Sequence, residues 1–374
     1  MIYLVTALIF IIVTPYILYP VFVWSIANLL SEKAPSFKSA DDTQINVLIT
    51  VHNGEKNIEA RLDNILHVFT ETNHSNLNLF VASDGSTDQT EVLVENYGAD
   101  IVRLIKCKEK PGKTSAQLQA LTEITDGIVV FTDVNTVFET KFLEEIIKVF
   151  DDPDVGGVTG NLRLKASNSG LNLAQRLHWH FETISRKAES SLGLLSTGAG
   201  ACMAVRRSCI SPWRSNIGDD CELPLQVVSQ NQKFVFAENA IAYDTFADNF
   251  EQEFRARIRM TVRNLDGTIP YLLEFLKNFR FNLFLSIFAH KIVRWLSPIF
   301  LILLLISNLA APQDVISEVI LLLFFSCFCV AAFHKLISLG RAGALCYSFI
   351  MVNLAFLIGI FKYLNQEKID RYTD

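Results

Sequence analysis

The chain has 374 residues, half of them hydrophobic, and a formal net charge of −6, with a positive mean hydropathy. That is too long for one small domain and too apolar for a fully soluble one. The apolarity is concentrated at the two ends.

The first thirty residues, MIYLVTALIFIIVTPYILYPVFVWSIANLL, carry no charged side chain. A bilayer core takes about 20 apolar residues as helix, so this stretch is long enough to span it. Pro15 and Pro20 would kink a lone helix, but a membrane bundle re-satisfies the backbone groups that proline frees. A signal peptide fits poorly, because no basic segment precedes the run, the run is too long and no A-x-A site follows. A retained anchor is expected.

From Ile45 to Tyr243 the pattern changes. INVLITV (45–51), LNLFVAS (77–83), ADIVRLI (99–105) and GIVVFTD (127–133) are short β-branched runs. Between them lie EKNIEARLDNILHVF, with Ile58, Leu62, Ile65, Leu66 and Phe69 on one helical face, then DQTEVLVENY and KTSAQLQALTEI. Strands separated by helices predict a parallel, doubly wound sheet, whose ligands bind beyond the carboxyl ends of the strands. Three polar stretches, HNGE, SDGSTD and TDVNT, fall at those ends. Each has a plain structural reading as a turn or a helix cap; their common place at one sheet edge favours a site.

Further on, GDDCELPLQVV (218–228) puts Asp219 and Asp220 at a helix start, where acids suit the dipole and where a carboxylate can also take a proton from an attacking hydroxyl. NFEQEFRARIRMTVRNLDG (249–267) predicts an amphipathic helix with Phe250, Phe254, Ile258, Val262 and Leu265 on its apolar stripe and Arg255, Arg259 and Arg263 beside it. Such a helix before a span suits the membrane interface. Three more spans are expected at Trp295–Leu309, Val315–Phe333 and Ala344–Phe361. Lys33, Lys38, His290, Lys291, Arg294, Lys335 and Arg341 flank the spans on one side, which by the basic-residue bias places residues 31–290 and 334–342 in the cytosol. The seven cysteines show no zinc spacing, and free thiols are expected.

The chemistry available at the sheet edge is specific. Lys110, Gly112 and Lys113 place two ammonium groups at a helix N-terminus, which suits a phosphate. Asp84 can accept a hydrogen bond from a base imide. Asp133 is a hard oxygen ligand, and Mg²⁺ or Mn²⁺ is commonly held by one or two carboxylates plus substrate phosphates; Asn135 adds a carbonyl oxygen. An arginine of the amphipathic helix can hold a diphosphate bidentately.

At these residues the chain resembles the membrane-integrated, processive-type family 2 glycosyltransferases, related to the cellulose, hyaluronan, chitin and poly-N-acetylglucosamine synthases. In order, VLITVHNGEKNI resembles the opening nucleotide-binding strand, SDGSTD the uracil-contacting motif, KPGK the lysine loop and FTDVNT the metal motif. STGAGACMAVRR resembles the acceptor-side segment, GDDCEL the catalytic-acid motif, RARIRM the Q-R-x-R-W motif and FAHKIVRWLSP the entry to the second span. Any one of these is weak; eight in order are not.

The resemblance implies an α/β GT-A fold, Rossmann-like with a mostly parallel sheet, in a cytosolic domain with N- and C-terminal transmembrane helices. Its expected divisions are an anchor at 1–30, the GT-A domain at 31–247, interfacial helices at 248–290, three spans at 291–364 and a tail at 365–374. It implies that Glu55, Asp84, Lys110, Lys113, Asp133 and Arg259 bind the nucleotide, and that Asp133 and Asn135 hold Mg²⁺ or Mn²⁺. Asp220, beside Asp219, is the implied catalytic base, and Thr197, Gly198, Gly200 and Met260 the implied acceptor contacts. The chain departs from the pattern at Gly54, where an acid is common and Glu55 is the substitute. Asn135 replaces a second metal aspartate, and Ala256 and Met260 fill the glutamine and tryptophan places; these last changes bear on processivity rather than on transfer.

The expected activity is inverting transfer of a sugar from a UDP-sugar to a saccharide acceptor at the cytosolic face of the cell membrane, for polysaccharide synthesis. The bilayer is an expected partner, nucleic acid is not, and accessory subunits stay open. A single addition to a lipid-linked acceptor is the alternative. A non-catalytic membrane scaffold predicts loss of Asp84, Asp133 or Asp220, and all three are present.

Overall fold

A computed structural model describes residues 2–30, 43–107, 112–165, 171–245, 250–310, 315–337 and 339–367. Of the sequence-derived candidates, Lys110, Lys33, Lys38 and most of the tail lie outside the described residues. Two compact units divide the chain. Ser31–Lys165, Glu189–Thr245 and Ile369–Asp374 form one; Met1–Leu30, Ala166–Ala188 and Phe246–Lys368 form the other.

In chain order the elements begin with α1 (Ile2–Val13), α2 (Tyr19–Leu29), β1 (Ile45–Val51), α3 (Ile58–Glu71), β2 (Leu77–Ser83), α4 (Thr90–Glu95) and β3 (Arg103–Lys106). Next come α5 (Lys113–Glu123), β4 (Ile128–Asp133), β5 (Val137–Phe138), α6 (Phe142–Val149), β6 (Val155–Lys165), α7 (Leu171–Ser191), β7 (Met203–Arg206) and α8 (Asp219–Ser229). The last are β8 (Lys233–Thr245), α9 (Phe250–Lys277), α10 (Phe281–Ile287), α11 (Val293–Trp295), α12 (Ser297–Ala310), α13 (Val315–Leu336) and α14 (Gly340–Leu364).

The first unit is built on one sheet of order β3-β2-β1-β4-β7-β6-β8-β5. The four strands from β3 to β4 run parallel. β7 turns antiparallel to both β4 and β6, β8 lies parallel to β6, and β5 closes the far edge antiparallel to β8. All seven residues of β1 are buried, as expected for a strand covered on both faces. Ile58, Leu62 and Ile65 of α3 are fully buried against it, with Leu66 and Phe69 packed at the margin. Each such aliphatic side chain contributes about 1.5–3 kcal/mol by leaving water. The strand expected over 99–105 is shortened to β3, because Gly98 takes φ +84° and the chain turns there, leaving Ile101 half exposed. The antiparallel half of the sheet has no counterpart in the expected alternation.

In the second unit three helices, Tyr3–Leu29, Val315–His334 and Gly340–Leu364, are long and apolar enough to cross a membrane among the described residues. The first carries a π-helical stretch at Thr14–Leu18, where proline frees backbone carbonyls and the helix widens to re-use them. At the span expected over Trp295–Leu309, Phe281–Trp295 and Ser297–Ala310 meet at a 62° bend and make a fourth crossing only if taken together. At 1.5 Å per residue, α12 alone reaches about 21 Å, short of a hydrocarbon core of about 30 Å. Pro298 lies in the first turn of α12, where proline starts a helix but cannot continue one. The amphipathic helix expected over 249–267 runs on to Lys277 as α9. It meets α14 closely enough that a Cβ on Gly359 would come 2.7 Å from Thr261.

This unit also buries a charge cluster. Glu182 of α7 takes Arg294 Nη1 at 2.6 Å, Lys291 Nζ at 3.5 Å and His290 Nε2 at 3.8 Å. Burial works to raise the Glu182 pKa, but Lys291, Arg294, His290 and Arg186 hold the carboxyl well below its usual range. Tyr19 stacks on His290 at 5.3 Å and shares a 2.6 Å hydrogen bond with Ser286.

Candidate active site

The parallel register brings the strand ends together: Val51 pairs with Ser83, and Thr50 with both Ala82 and Asp133. The loops that follow brace one another. Thr87 N donates to Asn53 Oδ1 at 2.8 Å, Gly54 N to Thr90 Oγ1 at 2.8 Å and Glu55 N to Asp88 Oδ2 at 3.1 Å. The Glu55 carboxylate accepts from Gln89 N at 3.2 Å, at the N-terminal end of α4. A Cβ on Gly54 would lie 2.5 Å from Val51 Cγ2, so the close strand exit excludes an acid there and the next residue carries the carboxylate.

Asp84 accepts a hydrogen bond from Gly112 N, and its backbone is fixed on both sides, by Val51 O at 2.8 Å and by His52 Nδ1 at 2.8 Å. Gly112, at φ +147°, hands the chain into α5, and this places Lys113 at the first helical position. Lys113 Nζ lies 2.7 Å from Asp133 Oδ1 and 3.5 Å from Asp219 Oδ2. One turn along α5, Gln117 donates to the same Asp219 oxygen at 2.8 Å. Thr114 Oγ1 donates to Ile217 O at 3.0 Å and ties α5 to the approach of α8.

The acid pair opens α8. Asp219 is buried, and a Cβ on Gly200 would come 2.9 Å from its Oδ2, so the glycine is what lets the chain at Gly200 lie against the carboxylate. Asp220 is partly exposed and its backbone oxygen accepts from Gly198 N at 3.2 Å. The Thr197 hydroxyl is buried without a hydrogen-bond partner among the described residues. A continuous chain of contacts therefore runs from Asp84 through Gly112 and Lys113 to Asp133 and Asp219, then through Asp220 to Gly198.

Behind Asp133 lies a side chain that motif reading passed over. Arg61 of α3 is fully buried, donates to Thr132 Oγ1 at 2.7 Å and sits 4.1 Å from the centre of the Phe138 ring. Thr132 passes the link on to Ala201 O at 2.8 Å. Burial pushes the Arg61 guanidinium down to about 9, with Asp133 and then Asp244 opposing the shift. The signal for it was in the sequence, a lone cation within the apolar face formed by Ile58, Leu62 and Ile65. Gln117 was legible too, one turn after Lys113 and so on the same helix face.

The donors that a metal would meet here are oxygens. Asp133 gives one carboxylate, and Asn135, exposed on the turn, has its Oδ1 held by Asn57 Nδ2 at 2.8 Å. No group of three acid, histidine or cysteine side chains suited to a metal occurs among the described residues. That set fits a hard cation that takes most of its shell from a substrate, and not a stand-alone metal centre. Arg259 and Met260 belong to α9 in the other unit, where Met260 is 47% exposed.

A mostly parallel, curled sheet with acidic and basic groups drawn to the strand ends is a GT-A fold. A mannosyltransferase from Pyrobaculum calidifontis, solved with GDP-Man and Mn²⁺, shares it at a TM-score of 0.71 and 18% identity, over 97% of this chain and 99% of that one. Residues 43–263 match the glycosyltransferase-like family 2 profile, and the chain belongs to that family of enzymes. An N-acetylglucosaminyltransferase of Azorhizobium caulinodans is 23% identical over 235 residues, 58% of each chain. A poly-beta-1,6-N-acetyl-D-glucosamine synthase of Staphylococcus aureus is 22% identical over 282 residues, 72% of this chain and 67% of that one. The chain thus spans little more than half the length of the first of these relatives.

Proposed function

We propose that the protein transfers a sugar, with inversion, from a nucleoside diphosphate sugar to a hydroxyl acceptor at the cytosolic face of a cell membrane. The observation that carries this is the single run of contacts joining Asp84, Lys113, Asp133, Asp219 and Asp220. In this reading Asp84 addresses the base, Glu55 braces the base-side loops, and Lys113 with Lys110 meets the diphosphate. Asp133 and Asn135 would hold the divalent ion, Mg²⁺ or Mn²⁺, which when bound would neutralise charge on the leaving diphosphate. Asp220 takes the proton from the attacking hydroxyl, while Asp219, fixed by Gln117, holds the start of α8 in place. Thr197, Gly198 and Gly200 receive the acceptor. Catalysis is then positioning plus stabilisation of developing charge, with no covalent intermediate.

The sequence relatives make UDP-N-acetylglucosamine the first donor to test, with a saccharide acceptor and a polysaccharide product. Met260, exposed and not aromatic, favours the second reading, a single addition to a lipid-linked acceptor. The structural neighbour makes GDP-mannose the control donor. Purified protein in nanodiscs, given Mn²⁺ and each donor with membrane lipid extract, is expected to release nucleoside diphosphate from UDP-N-acetylglucosamine. Asp220→Asn is expected to slow that release by about 10²–10⁴-fold with folding intact. Equal turnover in the variant overturns the role of Asp220, and a ladder or a single product decides between the two readings.

A further inference from the structure

We propose that the Lys113 ammonium is a built-in stand-in for the divalent ion, displaced only when a nucleotide diphosphate arrives to receive it; this rests on the donor-site reading above. The ammonium lies 2.7 Å from Asp133 and 3.5 Å from Asp219, a cation between the carboxylate of the metal motif and the first acid of α8. Asn135 leaves that motif with a single carboxylate, and its own carbonyl oxygen is already engaged by Asn57. A metal approaching without a nucleotide therefore meets a seated positive charge and gains one anionic ligand from that motif.

A diphosphate changes both terms. It supplies anionic oxygens to the metal, and it offers the ammonium a new partner at the N-terminal end of α5, where an anion is also favoured by the helix. Lysine suits such an exchange, because its charge is compact and rides on a flexible four-carbon stem. The carboxylate it leaves is not abandoned, since Asp219 keeps the Gln117 amide at 2.8 Å. Asp133 is the more open of the two acids, its side chain 36% exposed against 6% for Asp219, so the incoming ion takes the accessible one. Metal and nucleotide then bind with strong mutual coupling, and linkage requires each to raise the affinity of the other by the same factor. This chain then loads metal and nucleotide together.

The test is direct Mn²⁺ titration, following the free-ion paramagnetic resonance signal, on the full chain in nanodiscs with no nucleotide, with UDP and with GDP. In the wild-type protein one nucleotide is expected to tighten Mn²⁺ about 5–150-fold, the usual range of coupling between sites. Lys113→Gln is expected to bind Mn²⁺ alone more tightly than wild type and to lose most of the coupling. Lys113→Arg, which keeps a cation, is expected to stay weak for Mn²⁺ alone. Equal wild-type affinity with and without nucleotide overturns the exchange, and that measurement needs no variant. So does a Lys113→Gln protein whose affinity for Mn²⁺ alone is unchanged while its ternary complex still forms. If neither nucleotide binds with Mn²⁺ at all, the donor-site reading falls and the exchange with it.

Discussion

Two of the molecule's charge clusters are built in opposite proportions. In the sheet unit one ammonium, Lys113, is shared between two carboxylates, Asp133 and Asp219, and Asp133 opens to solvent. In the helical unit one carboxylate, Glu182, is set among Arg294, Lys291, His290 and Arg186, and each side chain ion-paired there is less than 15% exposed. In the exchange proposed above the first trades its cation for another, since Asp133 opens to water and Asp219 has a second partner. The second has no solvent to fall back on, so its charges fix helices rather than exchange ligands. Burial, more than the identity of the charged groups, separates a site from a brace.

The largest effect is expected on the brace. Removing one partner of a buried pair leaves uncompensated charge and costs about 3–5 kcal/mol, so Glu182→Gln should lower the thermal midpoint steeply in detergent. Because its cations hold the folded Glu182 pKa well below the ordinary value, its stabilisation is present above the unfolded carboxyl pKa of about 4.3. It is lost as pH falls through the lower folded value, and the gap between wild type and variant should close there. A gap independent of pH would show that the carboxylate charge does not brace this unit.

A smaller effect is expected where packing holds the site. In Gly200→Ala the new methyl group meets Asp219 Oδ2 at 2.9 Å. Overpacking of this kind costs about 1–3 kcal/mol, and the displaced carboxylate should reduce turnover more than it reduces the thermal midpoint. Loss of stability with turnover preserved would mean that the position of Asp219 is immaterial. The smallest change is Asn135→Asp, which restores a second metal carboxylate on the exposed turn. It should raise Mn²⁺ affinity in the absence of nucleotide several-fold and leave the fold untouched, since ligand charge count tunes such sites. An unchanged titration would place the ion away from this turn.

Much of the fold is legible in the sequence. Apolar β-branched runs marked β1, β2 and β4 to within a residue, since a strand covered on both faces leaves a continuous signature. The long apolar segments marked the membrane-length helices for the same reason, because bilayer thickness sets a length that composition alone reports. What composition could not report was direction and bending. The antiparallel turn of β7 between β4 and β6 depends on pairings between residues far apart in the chain, and the break at Leu296 depends on a local proline whose effect context decides.

The site divides in the same way. Asp84, Lys113, Asp133, Asp219 and Asp220 could be named from the sequence because each follows a strand or opens a helix, where ligand-binding side chains collect. That Lys113 sits between Asp133 and Asp219, that Gln117 holds the second of them, and that Arg61 reaches Thr132 from beneath are facts of tertiary structure alone. Local sequence fixes which groups exist and on which element they ride. Only the packed sheet decides which charges come within 3 or 4 Å, and at that distance electrostatics becomes chemistry.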